Sequence, residues 1–267
     1  ITLDNALTFM PLSERQAKIA DLVRQNDFVR VEELAESFKV TTQTIRRDLK
    51  LLCDRGMVRR SHGGVQQINI PGNVTYDWRQ VLNSEAKQQI AREVAQQVSN
   101  GTSLAFSIGT TPEIVSKALF QHEHLKILTN NLNIAMLTCS IPSFEVTIAG
   151  GRLRNEDRDV IGAGMEALFN AYKVDIGIFG VAGVDEDGTL LDFYEEEVRA
   201  RQLIQKNCRT SFLVLDYTKF GRTAHVRGGR IEEVDAVFCD KRPPETICEL
   251  IKNSGTKLFI CDTGRTS

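Results

Sequence analysis

The 267-residue sequence has no run of about 18 apolar residues, which excludes an evident bilayer-spanning helix. Its opening, ITLDNALTFMPLSERQ, has no basic stretch leading into an apolar one, so no secretory signal is expected. Six cysteines are present (Cys53, Cys139, Cys208, Cys239, Cys248 and Cys261), but no two form a CxxC pair. No histidine stands at ligand spacing from another. Such cysteines are expected to be reduced and mostly buried in a cytosolic protein, and neither a metal site nor a cofactor is expected. Internal repeats and low-complexity stretches are also lacking. With 42% hydrophobic and 25% charged residues, the chain can bury sizeable cores, and its length suits two unequal domains.

The net charge of −2 conceals an asymmetry. Residues 12–65 carry 11 Lys+Arg against 8 Asp+Glu, and within 39–65 the ratio is 7 to 2. A basic face on a small N-terminal domain is the electrostatic footprint expected for contact with nucleic-acid phosphates.

Three helices are predicted in this basic region, at 13–26, 31–38 and 42–54, joined by short connections as in a helix-turn-helix. Ser13 caps the first and Thr41 the third. Gly56 ends the third helix; strands at 57–60 and 65–70 then flank a turn at His62, Gly63 and Gly64, forming a wing. A linker is expected over 68–83, where Pro71 and Gly72 fall. This sets the winged helix-turn-helix at 12–67 and a larger domain at 84–262.

At 100° per residue, Ile45, Leu49 and Leu52 of the third helix share an inward face. Gln43, Arg46, Arg47 and Lys50 fall on the opposite face, with Thr42 and Thr44 in the first turn. Gln and Arg can each bond a purine edge bidentately in the major groove. Lys50 and the second arginine suit phosphates, as do the free N–H groups at the helix start. Arg59, Arg60 and His62 on the wing would reach the neighbouring backbone or minor groove. A solvated basic helix is the plainer alternative; the capped helix, the polar face and the basic wing together favour double-stranded operator DNA.

From residue 84 the pattern changes. After a helix over 84–98, apolar runs at 103–107, 125–129, 144–149, 174–182, 211–216, 236–239 and 257–261 alternate with helical stretches at 112–121, 132–138, 165–172, 195–207 and 244–253. The fold class is therefore α/β, with a mostly parallel sheet covered on both faces. The loops after the strands hold small polar residues: Gly109, Thr110 and Thr111, then Asn130 and Asn131, then Gly150 and Gly151, then Gly180 and Gly183. Thr111 is expected to cap the following helix, with Pro112 in its first position. Ligands of open α/β sheets bind beyond the carboxyl ends of the strands, so these loops nominate one pocket for a phosphorylated ligand. Short glycine and threonine turns would be the plainer reading of any one loop.

The string EELAESFKVTTQTIRRDLKLLCDRGMVRRSHGGV resembles the DNA-binding signature of the DeoR family of bacterial repressors. The resemblance continues through GTTPEIVSKAL, LTNNLNIA, AGGRLR, VDIGIFGVAGVDEDGTLL, EVRARQLI and DYTKFGR. It implies a Rossmann-like sensor domain that resembles ribose-5-phosphate isomerase, and a homo-oligomer, dimer or tetramer, that leaves its operator when glycerol 3-phosphate or a sugar phosphate binds. Carried over by motif, Gly109, Thr110, Thr111, Asn130, Glu197 and Lys219 would line or support the effector pocket. The chain departs from the family at Ser107 and Tyr194, where Asp is usual, and at Arg201, where Lys is usual. Arg201 would offer a phosphate a bidentate fork, or else sit on an exposed helix face. Ser107 and Tyr194 take the place of carboxylates that a general base would need, which sets a sugar-phosphate isomerase or aminosugar deaminase below a repressor. A constitutive DNA-binding protein with an inert second domain is the third reading.

Overall fold

The computed structural model describes residues 12–26, 28–55, 57–61, 63–67 and 75–262. The chain divides into two compact units, residues 1–84 and 85–267.

The first unit contains α1 (Glu14–Asn26), β1 (Phe28–Arg30), α2 (Val31–Ser37), α3 (Thr42–Asp54), β2 (Val58–Ser61), β3 (Gly64–Gln67) and α4 (Tyr76–Val81). At the start of α1 the Ser13 hydroxyl accepts from the Gln16 N–H while the Gln16 side chain accepts from the Ser13 N–H, a reciprocal cap. Between α2 and α3 the chain turns through Lys39 at φ 53. Thr41 then caps α3, its hydroxyl accepting from the Thr44 N–H at 3.2 Å. Ile19, Val23, Leu34, Ile45, Leu52, Met57 and Val65 form the core. Burying each such side chain contributes about 1.5–3 kcal/mol.

Two features of this unit differ from the sequence expectation. β1 is an unforeseen third strand, so the sheet runs β1-β3-β2 rather than forming a bare hairpin. The stretch expected to be linker contains α4, capped by Thr75, whose Trp78 and Val81 are buried in the same core as Ile19 and Ile45. The helix follows from the apolar residues Tyr76, Trp78 and Val81, which it buries. Pro71, Gly72, the expected turn residue His62, and Gly56 lie outside the described residues.

The second unit begins with α5 (Ser84–Gln96) and β4 (Ser103–Phe106), followed by α6 (Thr110–Ala118), β5 (Lys126–Thr129), α7 (Leu132–Thr138) and β6 (Glu145–Ile148). Then come β7 (Arg152–Arg154), β8 (Asp159–Ile161), α8 (Ala163–Ala171), β9 (Val174–Phe179), β10 (Gly183–Val184), β11 (Thr189–Asp192) and α9 (Glu195–Lys206). The unit closes with β12 (Cys208–Val214), β13 (Val226–Arg230), β14 (Ala236–Cys239), α10 (Glu245–Ser254) and β15 (Lys257–Ile260).

The seven apolar runs are the seven strands of one sheet, ordered β15-β14-β12-β9-β4-β5-β6 and parallel throughout. Alternate residues feed two cores. Ala105, Leu128, Phe179, Leu213 and Val237 face one way; Leu104, Phe106, Ile127, Ile178, Phe212 and Phe238 face the other. Both faces of the inner strands are therefore buried, which is why they read as continuous apolar runs, while the edge strands β6 and β15 are only half-covered. The chain leaves β4 for β5 and β6 on one side, then returns to place β9 on the other side of β4. That reversal opens a crevice beyond the carboxyl ends of β4 and β9. An antiparallel hairpin, β7–β8, and a small antiparallel sheet, β10-β11-β13, complete the unit.

Candidate nucleic-acid interface and effector site

Helix α3 buries Ile45, Asp48, Leu49 and Leu52 and exposes Gln43, Arg46, Arg47 and Lys50, with Thr42 and Thr44 partly exposed in its first turn. Asp48, which the helical pattern alone does not explain, is 4% exposed. Its carboxylate accepts from Arg15 Nε at 2.7 Å and Gln16 Nε2 at 2.9 Å, tying α3 to α1. One acidic residue thus turns inward, while Gln43, Arg46, Arg47 and Lys50 face outward, with Asp54 exposed on the same face at the end of the helix.

The wing strand β3 is held against β1 by close backbone approach. A Cβ on Gly64 would lie 2.3 Å from the Val29 carbonyl oxygen, so β1 and β3 can approach as they do only with glycine there. Arg59 and Arg60 are both exposed and, being consecutive in β2, point to opposite faces. The Arg60 guanidinium interacts with the Cys53 thiol of α3, whose pKa burial nonetheless pushes up. Arg60 also shares a cleft of about 270 Å³ with Arg46, Ser61, Gly63 and Gly64. The two wing arginines therefore cannot serve the same contact.

In the second unit the crevice is bordered by the loop after β4. Gly109, at φ 125, is the N-cap of α6, so the helix starts at Thr110 and Pro112 is its third residue. The expected cap at Thr111 is displaced by two positions, because glycine can take the turn backbone directly and proline is tolerated anywhere among the first N–H groups, which have no helical partner. Thr110 and Thr111 are buried, at 7% and 5% exposure. Ser107 is buried too, its hydroxyl donating to the Ile108 carbonyl at 3.1 Å. Asn130 follows β5 as Ser107 follows the neighbouring β4, and donates from Nδ2 to the Val160 carbonyl at 3.1 Å. Lys219 closes a short 3-10 turn after β12 and remains half-buried.

Arg201 is placed otherwise than expected. It is 1% exposed, neither on a helix surface nor offering a free fork. Nη2 donates to Asp192 Oδ2 at 2.8 Å and Nη1 to the Gly228 carbonyl at 2.6 Å. Asp192 Oδ1 in turn accepts from the Ala182 N–H at 2.9 Å, in the loop after β9. Arg201 therefore props that loop from behind, its hydrogen bonds committed to protein. Glu197 accepts from Arg154 Nη2 at 3.1 Å and from the Phe193 N–H at 3.3 Å, and Tyr194, the residue before α9, donates to Glu156.

Comparison with known proteins places both units. A model of the DeoR-like helix-turn-helix domain matches residues 15–70, and a model of the DeoR C terminal sensor domain matches residues 82–241. The chain belongs to the DeoR family. Two DeoR relatives are glycerol-3-phosphate regulon repressors. That of Escherichia coli (strain K12) is 40% identical over 94% of this chain and 100% of its own length. That of Haemophilus influenzae is 41% identical over 95% of this chain and 98% of its own. Among solved structures, a ribose-5-phosphate isomerase from Methanocaldococcus jannaschii overlaps 52% of this chain and 55% of its own, at 15% identity and a TM-score of 0.39.

Several residues of this DeoR chain escaped the sequence reading although they shape the crevice. Arg222 donates to the Ala182 carbonyl at 3.2 Å and stacks over Phe193; burial lowers its pKa. Lys87 of α5 and Asp216 at the end of β12 are 3% and 2% exposed. Burial raises the Asp216 carboxyl, but the Lys219 and Lys87 ammonium groups and hydrogen bonds from Thr218 outweigh it, holding the pKa below the usual carboxylate range. A lysine on the otherwise apolar face of α5 was the available signal for Lys87. Among the described residues no cluster of three or more His, Cys, Asp or Glu could hold a metal, and no helix is long and apolar enough to cross a membrane.

Proposed function

We propose that this protein is a DNA-binding transcriptional repressor of a glycerol or sugar catabolic operon, released from its operator by a phosphorylated metabolite such as glycerol 3-phosphate. The observation that carries it is the division of α3 into an inward face of Ile45, Asp48, Leu49 and Leu52 and an outward face of Gln43, Arg46, Arg47 and Lys50. That face reads bases and phosphates, and Arg59 and Arg60 add backbone contacts. Full-length kinship with repressors of the glycerol-3-phosphate regulon supports the class of genes. The phosphate of the effector is received at the start of α6, by Gly109, Thr110 and Thr111, with Lys219 nearby. Asn130 and Glu197 complete the pocket's polar surround. The protein acts as a homo-oligomer in the cytoplasm, since operator symmetry mirrors protein symmetry.

The test is genome-wide mapping of bound DNA with and without glycerol 3-phosphate, on the native protein and on an Arg46→Ala, Arg47→Ala variant. Discrete sites beside carbohydrate or glycerol genes, emptied by the phosphate and absent in the variant, are expected. A variant that occupies the same sites would overturn the assignment of α3.

A further inference from the structure

The helix by which the chain enters the second unit carries a charge where its pattern calls for an apolar residue. On the inward face of α5, Ile90, Ala91 and Val94 pack with Phe106, Ile178, Phe212 and Phe238. Lys87 lies on the same face one turn earlier and is 3% exposed. The direction of α5 fixes which end of the sheet this lysine reaches. Gln97, just past the helix, lines a cavity with Thr210, Asp235 and Lys257, toward the amino ends of β12, β14 and β15. The 13 residues of α5 span about 20 Å, the length of about six strand residues. The helix therefore starts at the carboxyl ends of the strands, beside the crevice. There Lys87 meets Asp216, two residues beyond β12 and 2% exposed. Burial raises the Asp216 carboxyl, but the Lys219 and Lys87 ammonium groups hold it below the usual carboxylate range.

Asp216 is fixed in place. It caps the turn Tyr217–Lys219, accepting from the Thr218 N–H at 3.1 Å, and the Leu215 N–H before it donates to the Phe238 carbonyl. Lys87 instead stands in the first turn of a helix. Four residues before it, the Asn83 N–H donates to Asp21 of α1, and Leu82 packs against the core of the first unit. One helical turn thus separates the last anchor in the first unit from the crevice of the second. A ligand shifts an equilibrium only through contacts that differ between its two states. A buried ammonium group without a counter-ion is costly, so Lys87 follows the anion that faces it. We infer that Lys87 reports occupancy of the crevice to the DNA-binding unit: Asp216 holds it when the crevice is empty, the phosphate of an effector draws it away, and the first turn of α5 moves with it. This rests on the reading of the second unit as a sensor of phosphorylated metabolites.

The experiment measures the affinity of the full chain for a DNA fragment carrying one of its genomic sites, without and with saturating glycerol 3-phosphate, and the affinity for glycerol 3-phosphate alone by calorimetry. In the native chain the phosphate is expected to weaken DNA binding about tenfold or more, within the ordinary range of coupling between sites. Lys87→Met should leave an effect of less than about twofold at saturation, although it still binds the phosphate with reduced affinity. Lys219→Met, a loss at the pocket itself, should bind the phosphate more weakly yet release DNA as fully as the native chain once saturated. That contrast separates transmission from binding, and damage to the fold alone would weaken DNA binding with and without phosphate alike. Asp216→Asn removes the partner of the empty state while keeping the shape of the side chain, and should likewise hold the effect under about twofold; it carries the test if Lys87→Met does not fold. Release as full as the native chain's in either folded variant overturns the inference and leaves the phosphate sensor standing. A native chain that neither binds glycerol 3-phosphate nor releases DNA overturns both.

Discussion

Replacing Asp48 by Ala tests whether the reading helix is anchored as the structure describes. A hydrogen bond to a charged group is worth about 1.5–3 kcal/mol when shielded, and an exposed ion pair about 0–1 kcal/mol. The Asp48 side chain is 6% exposed but that of Arg15 is 37%, so the pair falls between these limits. Adding the bond from Gln16 gives a loss of about 2 kcal/mol, since both donors can return to water. Trp78 is the single tryptophan of the chain and lies in the core of the first unit, so its fluorescence follows that unit alone. Such a local probe matters because a two-unit chain does not unfold in one step. With a urea dependence of about 1 kcal/mol per M for a domain of this size, the midpoint should fall by about 2 M. An Arg15→Ala, Asp48→Ala cycle should show coupling between the two residues, as expected for groups in contact. A midpoint that moves by less than about 0.3 M would refute the reasoning, for water would then satisfy α3 as well as α1 does.

Three further outcomes are expected. Arg201→Ala strands Asp192 in the interior, and breaking a buried pair costs about 3–5 kcal/mol; thermal melting followed by circular dichroism should show it, while the Trp78 transition stays in place and Arg201→Met with Asp192→Leu recovers most of the loss. Asp216 has a lowered pKa, so its charge stabilises the fold at pH values above the unfolded carboxylate value of about 3.9 and that contribution disappears as pH falls through the folded value; the melting gap between native protein and Asp216→Asn should be present at neutral pH and close below about pH 4. Gly64→Ala should cost about 1–3 kcal/mol through overpacking against the Val29 carbonyl, read by the Trp78 urea midpoint, and an unchanged midpoint would show that β1 is not held against β3.

The elements that sequence revealed are those whose burial is periodic. The sheet strands stand out as apolar runs because the inner ones are covered on both sides, and α3 because Ile45, Leu49 and Leu52 alternate at helical spacing with Gln43, Arg46, Arg47 and Lys50. Their order in the sheet was not legible, since no local pattern states which strand lies beside β4. Short antiparallel pieces were missed for lack of apolar content: β7 is Arg-Leu-Arg and β13 is Val-Arg-Gly-Gly-Arg, both held by register and charge. β1, three residues long, shows one buried side chain, too few for a period. Buried charges were the hardest to assign. Arg201 and Asp192 lie nine residues apart in chain and in contact in space, and Arg154 meets Glu197 across 43 residues, so neither pairing leaves a trace in a helical wheel.

The glycine beside Val29 has a consequence for how such chains are recognised. Gly64 belongs to the string by which the N-terminal domain is known, yet it contributes no side chain to read a base with. What it preserves is the clearance between two backbones. Its presence certifies that the wing strand can lie flush against its neighbour, so a side chain at this position would disturb the shape of the wing without removing any group that could touch DNA.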